Sequence, residues 1–427
     1  DRHGQWYRYH GLFRDLLLAE LRLREPALVE QLHARAAGWC EAHGMSEMAV
    51  DHAQAAGDAD RVARLVASAT VPTYAGGRLD TCRQWFEWFE DHKLIERYPQ
   101  VAVLGAVLHA LHEQPGAAEV WLAAAERAPS GGTLPDGSTM ESWIAQMHAF
   151  VCRDGVRQMR KDAQTARNGL APDSPWRPAA LLLEGIAFLL DDAYEHADPI
   201  LSQAVDAATH RSALPGASVA LAERALVAIE RHDWNAADTL AEQALAFVRD
   251  GRLEDYASTA LVHAVAARTA LHRGDPASAR HHVAHCVRLR VSLTYAIPFL
   301  AAQVRLELAS AYLELADPAG ARVVLREVRD LLRLRPDLGI LPAKADELAA
   351  KLAAMGAGTV GASSLTTAEL RLLPLLSTHL SFREIGERLH VSRHTVKTQA
   401  MSVYRKLDVS SRSEAIGRVH EVGLLGD

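Results

Sequence analysis

Pairs of small residues seven positions apart return at a nearly constant interval through residues 26–355. They are Ala197 with Ala204, Ala237 with Ala244, Ala279 with Cys286, and Ala321 with Val328. Their first members lie 40, 42 and 42 residues apart. Earlier copies are Ala49 with Ala56 and Ala118 with Ala125, and a degraded one is Met159 with Ala166. Most copies follow turn residues: Gly44, Pro115-Gly116, Asp233, Gly274-Asp275-Pro276 and Asp317-Pro318. A separation of seven puts both residues on one face of a helix, where a small side chain lets a neighbouring helix approach closely. The Asp-Pro and Gly-Asp turns stop one helix and start the next. A period near forty with two helices per unit defines an α-solenoid. Chance spacing in an Ala-rich chain does not explain near-equal intervals that each carry their own turn. With 49% hydrophobic residues but only 6% aromatic, the composition favours tightly packed helices over sheets.

The last sixty or so residues follow a different rule. Ser381 and Glu384 form a capping-box pattern, and Ile385 and Leu389 give the helix that follows an apolar stripe. His390-Val391 is a very tight turn, and Ser392 caps a second helix. On that helix Val396, Ala400, Val403 and Leu407 share one face, while His394, Thr398, Met401 and Arg405 share the opposite one. Thr395, Lys397 and Ser402 flank the polar face. A helix with one apolar face and one face of short polar and basic side chains fits a DNA major groove. Its capped N-terminus presents backbone N–H groups to phosphate.

The segment from Leu365-Thr366 and Glu369, through Arg383-Glu384-Ile385, Val391-Ser392 and Thr395-Val396-Lys397-Thr398, to Arg405-Lys406-Leu407, Val409 and Arg412 resembles the LuxR-type DNA-binding domain. The resemblance implies four helices near 366–377, 381–390, 392–407 and 410–421. It implies that Lys397, Thr398 and Met401 face base edges, and that Ser392, Thr395, Arg405, Lys406 and Arg412 lie near phosphate. Arg393 and His394 belong to the same expected DNA-binding set. The fourth helix implies a dimer contact through Ala415, Arg418 and Val422, with Ile416 and Val419 covering the domain's own core. Four residues depart from the family pattern. Gln399 stands for His, and Phe382 for a polar residue. His379 stands for a Gly whose position often needs a left-handed backbone, and Pro374 falls inside the first helix.

The solenoid unit looks like a tetratricopeptide repeat of the longer kind found in MalT-like regulators. The stretch Arg35–Gly44 through Ala49–Asp58 resembles the segment that leads from the ATPase part of those proteins into their solenoid. The resulting division is an entry region at 1–66, a solenoid at 67–354, a Gly-rich linker at 355–364 and a helix-turn-helix domain at 365–427. The chain opens on Asp1-Arg-His-Gly, and the resemblance implies an NTPase module upstream, so the chain reads as a fragment. The aromatic entry Trp6-Tyr7-Arg8-Tyr9 leads to Leu12, Leu16 and Leu17 on one face, which should pack against something preceding them.

Net charge is −7, unevenly spread: residues 363–427 carry +2 and the remainder −9. Only the C-terminal part has the sign to approach nucleic acid. There is no run of eighteen apolar residues and so no membrane span. The four cysteines, Cys40, Cys82, Cys152 and Cys286, form no CxxC pair, which fits free thiols in a reducing compartment. No phosphate-binding loop, G-x-S-x-G or H-E-x-x-H occurs, so no enzyme and no cofactor are expected in this chain. His281 and His285, with His282 and Cys286 beside them, have a chelating spacing but no accompanying carboxylate, and no metal is expected. Trp85, Phe86, Trp88 and Phe89 either line a ligand groove or form solenoid core, and core is the ordinary fate of bulky aromatics. The expectation is a cytoplasmic, sequence-specific transcriptional regulator that binds double-stranded DNA as a homodimer. RNA polymerase, and a small-molecule or protein effector on the solenoid, are its expected partners. The alternative is a repeat-type interaction scaffold with a nonspecific basic tail.

Overall fold

The structure is a computed structural model that describes residues 10–111, 114–127, 136–355, 365–421 and 424. The chain is all-α, with no β-strand among the described residues. It opens with α1 (Gly11–Arg24), α2 (Pro26–Ala42) and α3 (Ser46–Ala55). Pairs follow: α4 (Ala59–Ala75) with α5 (Leu79–Asp91), α6 (Pro99–Leu111) with α7 (Pro115–Glu126), and α8 (Met140–Val151) with α9 (Val156–Gly169). Then come α10 (Arg177–Leu190) with α11 (Tyr194–His210), and α12 (Leu214–Glu230) with α13 (Trp234–Gly251). The last pairs are α14 (Ala260–His272) with α15 (Pro276–Leu289), and α16 (Pro298–Glu314) with α17 (Pro318–Leu334); α18 (Leu341–Met355) closes the row.

The small-residue pairs fall where the period puts them, one on each of α7, α9, α11, α13, α15 and α17, and every member there is buried. The first copy differs. Ala49 is buried on α3, but Ala56 lies beyond that helix and is half-exposed. The equivalent pair on α5 is Cys82 with Phe89, both fully buried. The turns share one construction. Asp192, His232, Gly274 and Ala316 all have positive φ. After the last three, Asp233, Asp275 and Asp317 each accept a backbone N–H with the side chain, capping α13, α15 and α17.

The even-numbered helices from α4 to α16 stack on one another, and each pairs with the odd helix that follows it. Helices α12 and α16 are buried nearly all round, as a helix in an inner layer must be. The row curls until distant turns meet. The Tyr256 hydroxyl donates to the Tyr74 carbonyl at 2.8 Å, and Gln303 donates to Glu223 at 2.9 Å. Beyond α17 the chain crosses back over the solenoid. Arg335 pairs with Glu119 at 3.3 Å, and the Ile340 N–H donates to the Leu190 carbonyl at 2.9 Å. Gly339 allows this approach, because a Cβ there would lie 2.0 Å from the Leu190 oxygen.

Trp85, Phe86 and Phe89 are core, with Phe86 edge-on to Trp121 at 5.5 Å between ring centroids. All four cysteines are buried free thiols. Leu12, Leu16 and Leu17 lie exposed on α1. The aromatic entry at 6–9, the linker residues 356–364 and Val422 lie outside the described residues.

Candidate nucleic-acid interface

Four short helices end the chain: α19 (Thr367–Leu376), α20 (Phe382–Arg388), α21 (Arg393–Leu407) and α22 (Arg412–Glu421). Two capping boxes start the first two. Thr366 and Glu369 exchange bonds at α19, and Ser381 and Glu384 do so at α20, each satisfying two otherwise orphaned donors. The turn into α21 closes through the Val391 N–H, which donates to the Gly386 carbonyl at 2.9 Å. His390 takes the left-handed conformation there, with φ 53°. Gly386 is required, since a Cβ on it would sit 2.6 Å from the Val391 oxygen. The left-handed backbone expected at His379 falls instead at His390 and Asp408. Pro374 lies inside α19, two residues before its end, where it withholds one N–H from the helix ladder.

Val396, Ala400, Val403 and Leu407 turn into the domain core, as their spacing requires. Ser392 accepts the Thr395 N–H at 3.1 Å and so caps α21. Arg393, His394, Lys397, Thr398, Met401 and Arg405 are exposed, and Thr395 is half-buried. Met401 is 56% exposed, high for a large apolar side chain. The Thr398 hydroxyl donates back to the His394 carbonyl at 3.0 Å. The outer face of α21 is therefore a mixed basic, polar and apolar strip, the chemistry that reads base edges.

Two cations expected near phosphate are used elsewhere. Lys406 reaches Glu369 at 2.6 Å in a nearly buried ion pair that ties α21 to α19. Burial raises the Glu369 carboxyl, but hydrogen bonds from Lys406 and the Thr366 N–H outweigh it and hold it below the usual carboxylate range. Arg412 spreads its guanidinium over four carbonyls at the end of α19 and in the turn after it: Leu376 at 2.7 Å, Leu380 at 2.8 Å, Leu375 at 3.1 Å and Thr378 at 2.7 Å. A cation there also meets the negative end of that helix. Both cations therefore clip helices of the domain together. The expected dimer face also changes. Ala415 is 1% exposed and packs with Val419 in the domain core, while Ile416 is only half-buried. Arg418 is exposed and pairs with Glu421 at 2.8 Å.

The pattern could not show how this domain is held. Arg290, fully buried after α15, donates to the Leu365 carbonyl at 2.7 Å. Glu327 on α17 takes the Arg305 guanidinium at 2.9 Å and accepts the Thr367 N–H at 3.1 Å. Arg371 on α19 donates to the Val291 carbonyl at 3.1 Å. Burial raises the Glu327 carboxyl, but Arg290 and Arg305 outweigh that effect, and it lies below the usual range. The α19 side of the domain thus rests on the end of the solenoid through a buried ionic joint, while the outer face of α21 stays exposed. The joint's residues are far apart in sequence and carry no motif.

His281, His282 and His285 gather with His263 as packed rings, with 3.2 Å between the Nδ1 atoms of His263 and His282. Burial and the neighbouring histidines push His282 down to about 4. No group of three or more metal-binding side chains has metal-holding geometry among the described residues. No described helix is long and apolar enough to cross a membrane.

Residues 363–419 match the profile of the family described as bacterial regulatory proteins, luxR family. The serine/threonine-protein kinase PknK of Mycobacterium tuberculosis is 43% identical over 61 residues, 14% of this chain and 6% of that protein. The transcriptional regulatory protein LiaR of Bacillus subtilis is 36% identical over 76 residues, 18% of this chain and 36% of that protein. The chain therefore spans well under two thirds of the length of either relative. The chain carries a LuxR-type DNA-binding domain at its C-terminus, behind an all-α solenoid.

Proposed function

We propose that this protein is a sequence-specific, DNA-binding regulator of transcription in the cytoplasm, with the solenoid as its sensing and coupling element. The observation that carries the reading is the outer face of α21. Lys397, Thr398, Met401 and Arg405 stand exposed together on a capped helix, while Lys406 and Arg412 are consumed inside the domain. Lys397, Thr398 and Met401 take the base edges; Arg393, Thr395 and Arg405 take phosphate, with the capped start of α21 at Ser392. The ionic joint at Arg290 and Glu327 gives the solenoid a grip on the domain, and supports coupling between them. The likeness to MalT-like regulators adds an effector on the solenoid and RNA polymerase as partners. One such domain reads only a few base pairs, so two copies on an inverted repeat are required for discrimination. Pairing then rests on Arg418 and Ile416 of α22, since Ala415 is core.

The test is anisotropy of labelled duplexes at about 150 mM salt, using fragments selected from genomic DNA against scrambled controls. Saturable binding to the selected sequence alone, lost with Lys397→Ala and Thr398→Ala, supports the reading. Equal affinity for both duplexes leaves a scaffold with a nonspecific basic tail.

A further inference from the structure

The curl of the solenoid encloses a cavity of about 160 Å³, lined from α4 through α16. Val71, Leu104, Leu108, Leu182, Val219 and Phe299 represent its wall, which is apolar almost throughout. Among the described residues it is lined by no Lys, Arg, His, Asp or Glu. The one titratable side chain there is Tyr74, whose hydroxyl burial pushes up, so it stays a neutral phenol. Such a wall rejects ions, because burying an unpaired charge is prohibitive. Two polar atoms stand out. Trp176 and Ser258 line the cavity, and the Trp176 Nε1 and the Ser258 Oγ are buried without a hydrogen-bond partner. Neither polar atom is exposed to the cavity, whose surface is apolar almost throughout, so an occupant meets apolar groups alone. The size bears on the same question, since a dry apolar cavity of about 150 Å³ accepts benzene.

We propose that the solenoid interior binds a small, uncharged, apolar molecule, about the size of one substituted aromatic ring, through its apolar body. As the identity of the sensor's ligand, this rests on the sensing role proposed above. As a binding site it is tested without DNA. Sugars, nucleotides and amino acids are excluded from the cavity by their polarity or charge.

The experiment titrates the full chain with toluene, benzyl alcohol, benzoate and benzylammonium, read by tryptophan fluorescence and calorimetry. Toluene and benzyl alcohol should bind saturably, and the two ions at least tenfold more weakly. Gly216 lines the cavity in the first turn of α12, and a Cβ there meets no atom within 4 Å. Gly216→Leu should therefore occupy the space with an intact melting transition and lower toluene affinity at least tenfold. Ions that bind as well as toluene, toluene binding untouched by Gly216→Leu, or no saturable binding of either neutral probe would each overturn the site. An amphipathic peptide that displaces toluene competitively would overturn the small-molecule assignment. Toluene binding that leaves duplex affinity unchanged would keep the site and overturn the sensing role.

Discussion

In the solenoid, helices meet through alanines. Ala197, Ala237, Ala279 and Ala321 are fully buried at helix crossings, and most of the neighbouring side chains are aliphatic. In the C-terminal domain, charged groups do much of the joining: Lys406 with Glu369, and Arg412 with four carbonyls. The reason is size. A domain of four short helices buries too little apolar surface to be held by packing alone. A long stack buries enough, and it is sensitive to volume instead. Substitutions should therefore act through shape in one region and through lost polar partners in the other. The joint between the regions combines the two, with ionic groups inside an apolar wall.

That joint should be the most sensitive point. Glu327→Ala leaves Arg290 and Arg305 buried without their counter-charge, which costs about 3–5 kcal/mol. Chemical denaturation would measure the loss, and limited proteolysis would show the C-terminal domain released. A variant as stable as the parent would remove the joint from the account. The pH dependence has a definite sign. Glu327 has a depressed carboxyl in the fold, so its stabilisation is present above the unfolded value of about 4.3 and is lost as pH falls through the folded one. Glu327→Gln should flatten stability in that acid window.

Arg412→Ala comes next. It strips the carbonyls at the end of α19 and in the turn after it of a charged donor and should cost about 2–3 kcal/mol. The melting temperature of the C-terminal domain reads it. The salt dependence of DNA binding should not change, because the guanidinium faces the domain's interior. In the solenoid, Ala237→Leu or Ala279→Leu overpacks a close crossing and should cost about 1–3 kcal/mol. If those variants melt like the parent while Ala→Ser at the same sites is destabilising, polarity rather than volume governs the stack, and the contrast between the regions fails.

Much of this was legible in the chain. The period gave the solenoid, because small residues at helix crossings leave a mark every forty residues. The caps at Ser381 and Ser392 and the apolar face of α21 were legible for a similar reason: each depends on residues three or four apart. What depends on distant residues was not. Asp192, His232 and Ala316 are left-handed at the same interval as Gly274, but only glycine announces that conformation. The cavity is lined by helices from α4 through α16, and no local pattern encodes it. Lys406 and Arg412 look in sequence like any cation beside a reading helix; only the fold shows that one faces Glu369 and the other the end of α19. Ala415 and Ile416 are adjacent on a ten-residue helix, and packing against α19 and α21 decides which turns inward.

The smallest change in stability belongs to the surface with the largest proposed effect on binding. Lys397 and Arg405 are exposed on α21, and Arg405 makes a long contact to Ser402 at 3.5 Å. Replacing either with Ala should move stability by no more than about 0.5 kcal/mol, as for most surface sites. Binding should separate the two. Lys397→Ala removes a base-edge donor, should cost about 1–3 kcal/mol on the preferred duplex and should relax sequence choice. Arg405→Ala removes a phosphate contact, so it should weaken all duplexes alike and reduce the salt slope by about one. Arg412→Ala supplies the opposite signature, with lowered melting and an unchanged slope. A titration of all three variants across salt, paired with their melting curves, decides the division of the cations. If Arg405→Ala lowers the melting temperature and Arg412→Ala flattens the slope, their roles are reversed, and the reading surface extends from α21 onto α22.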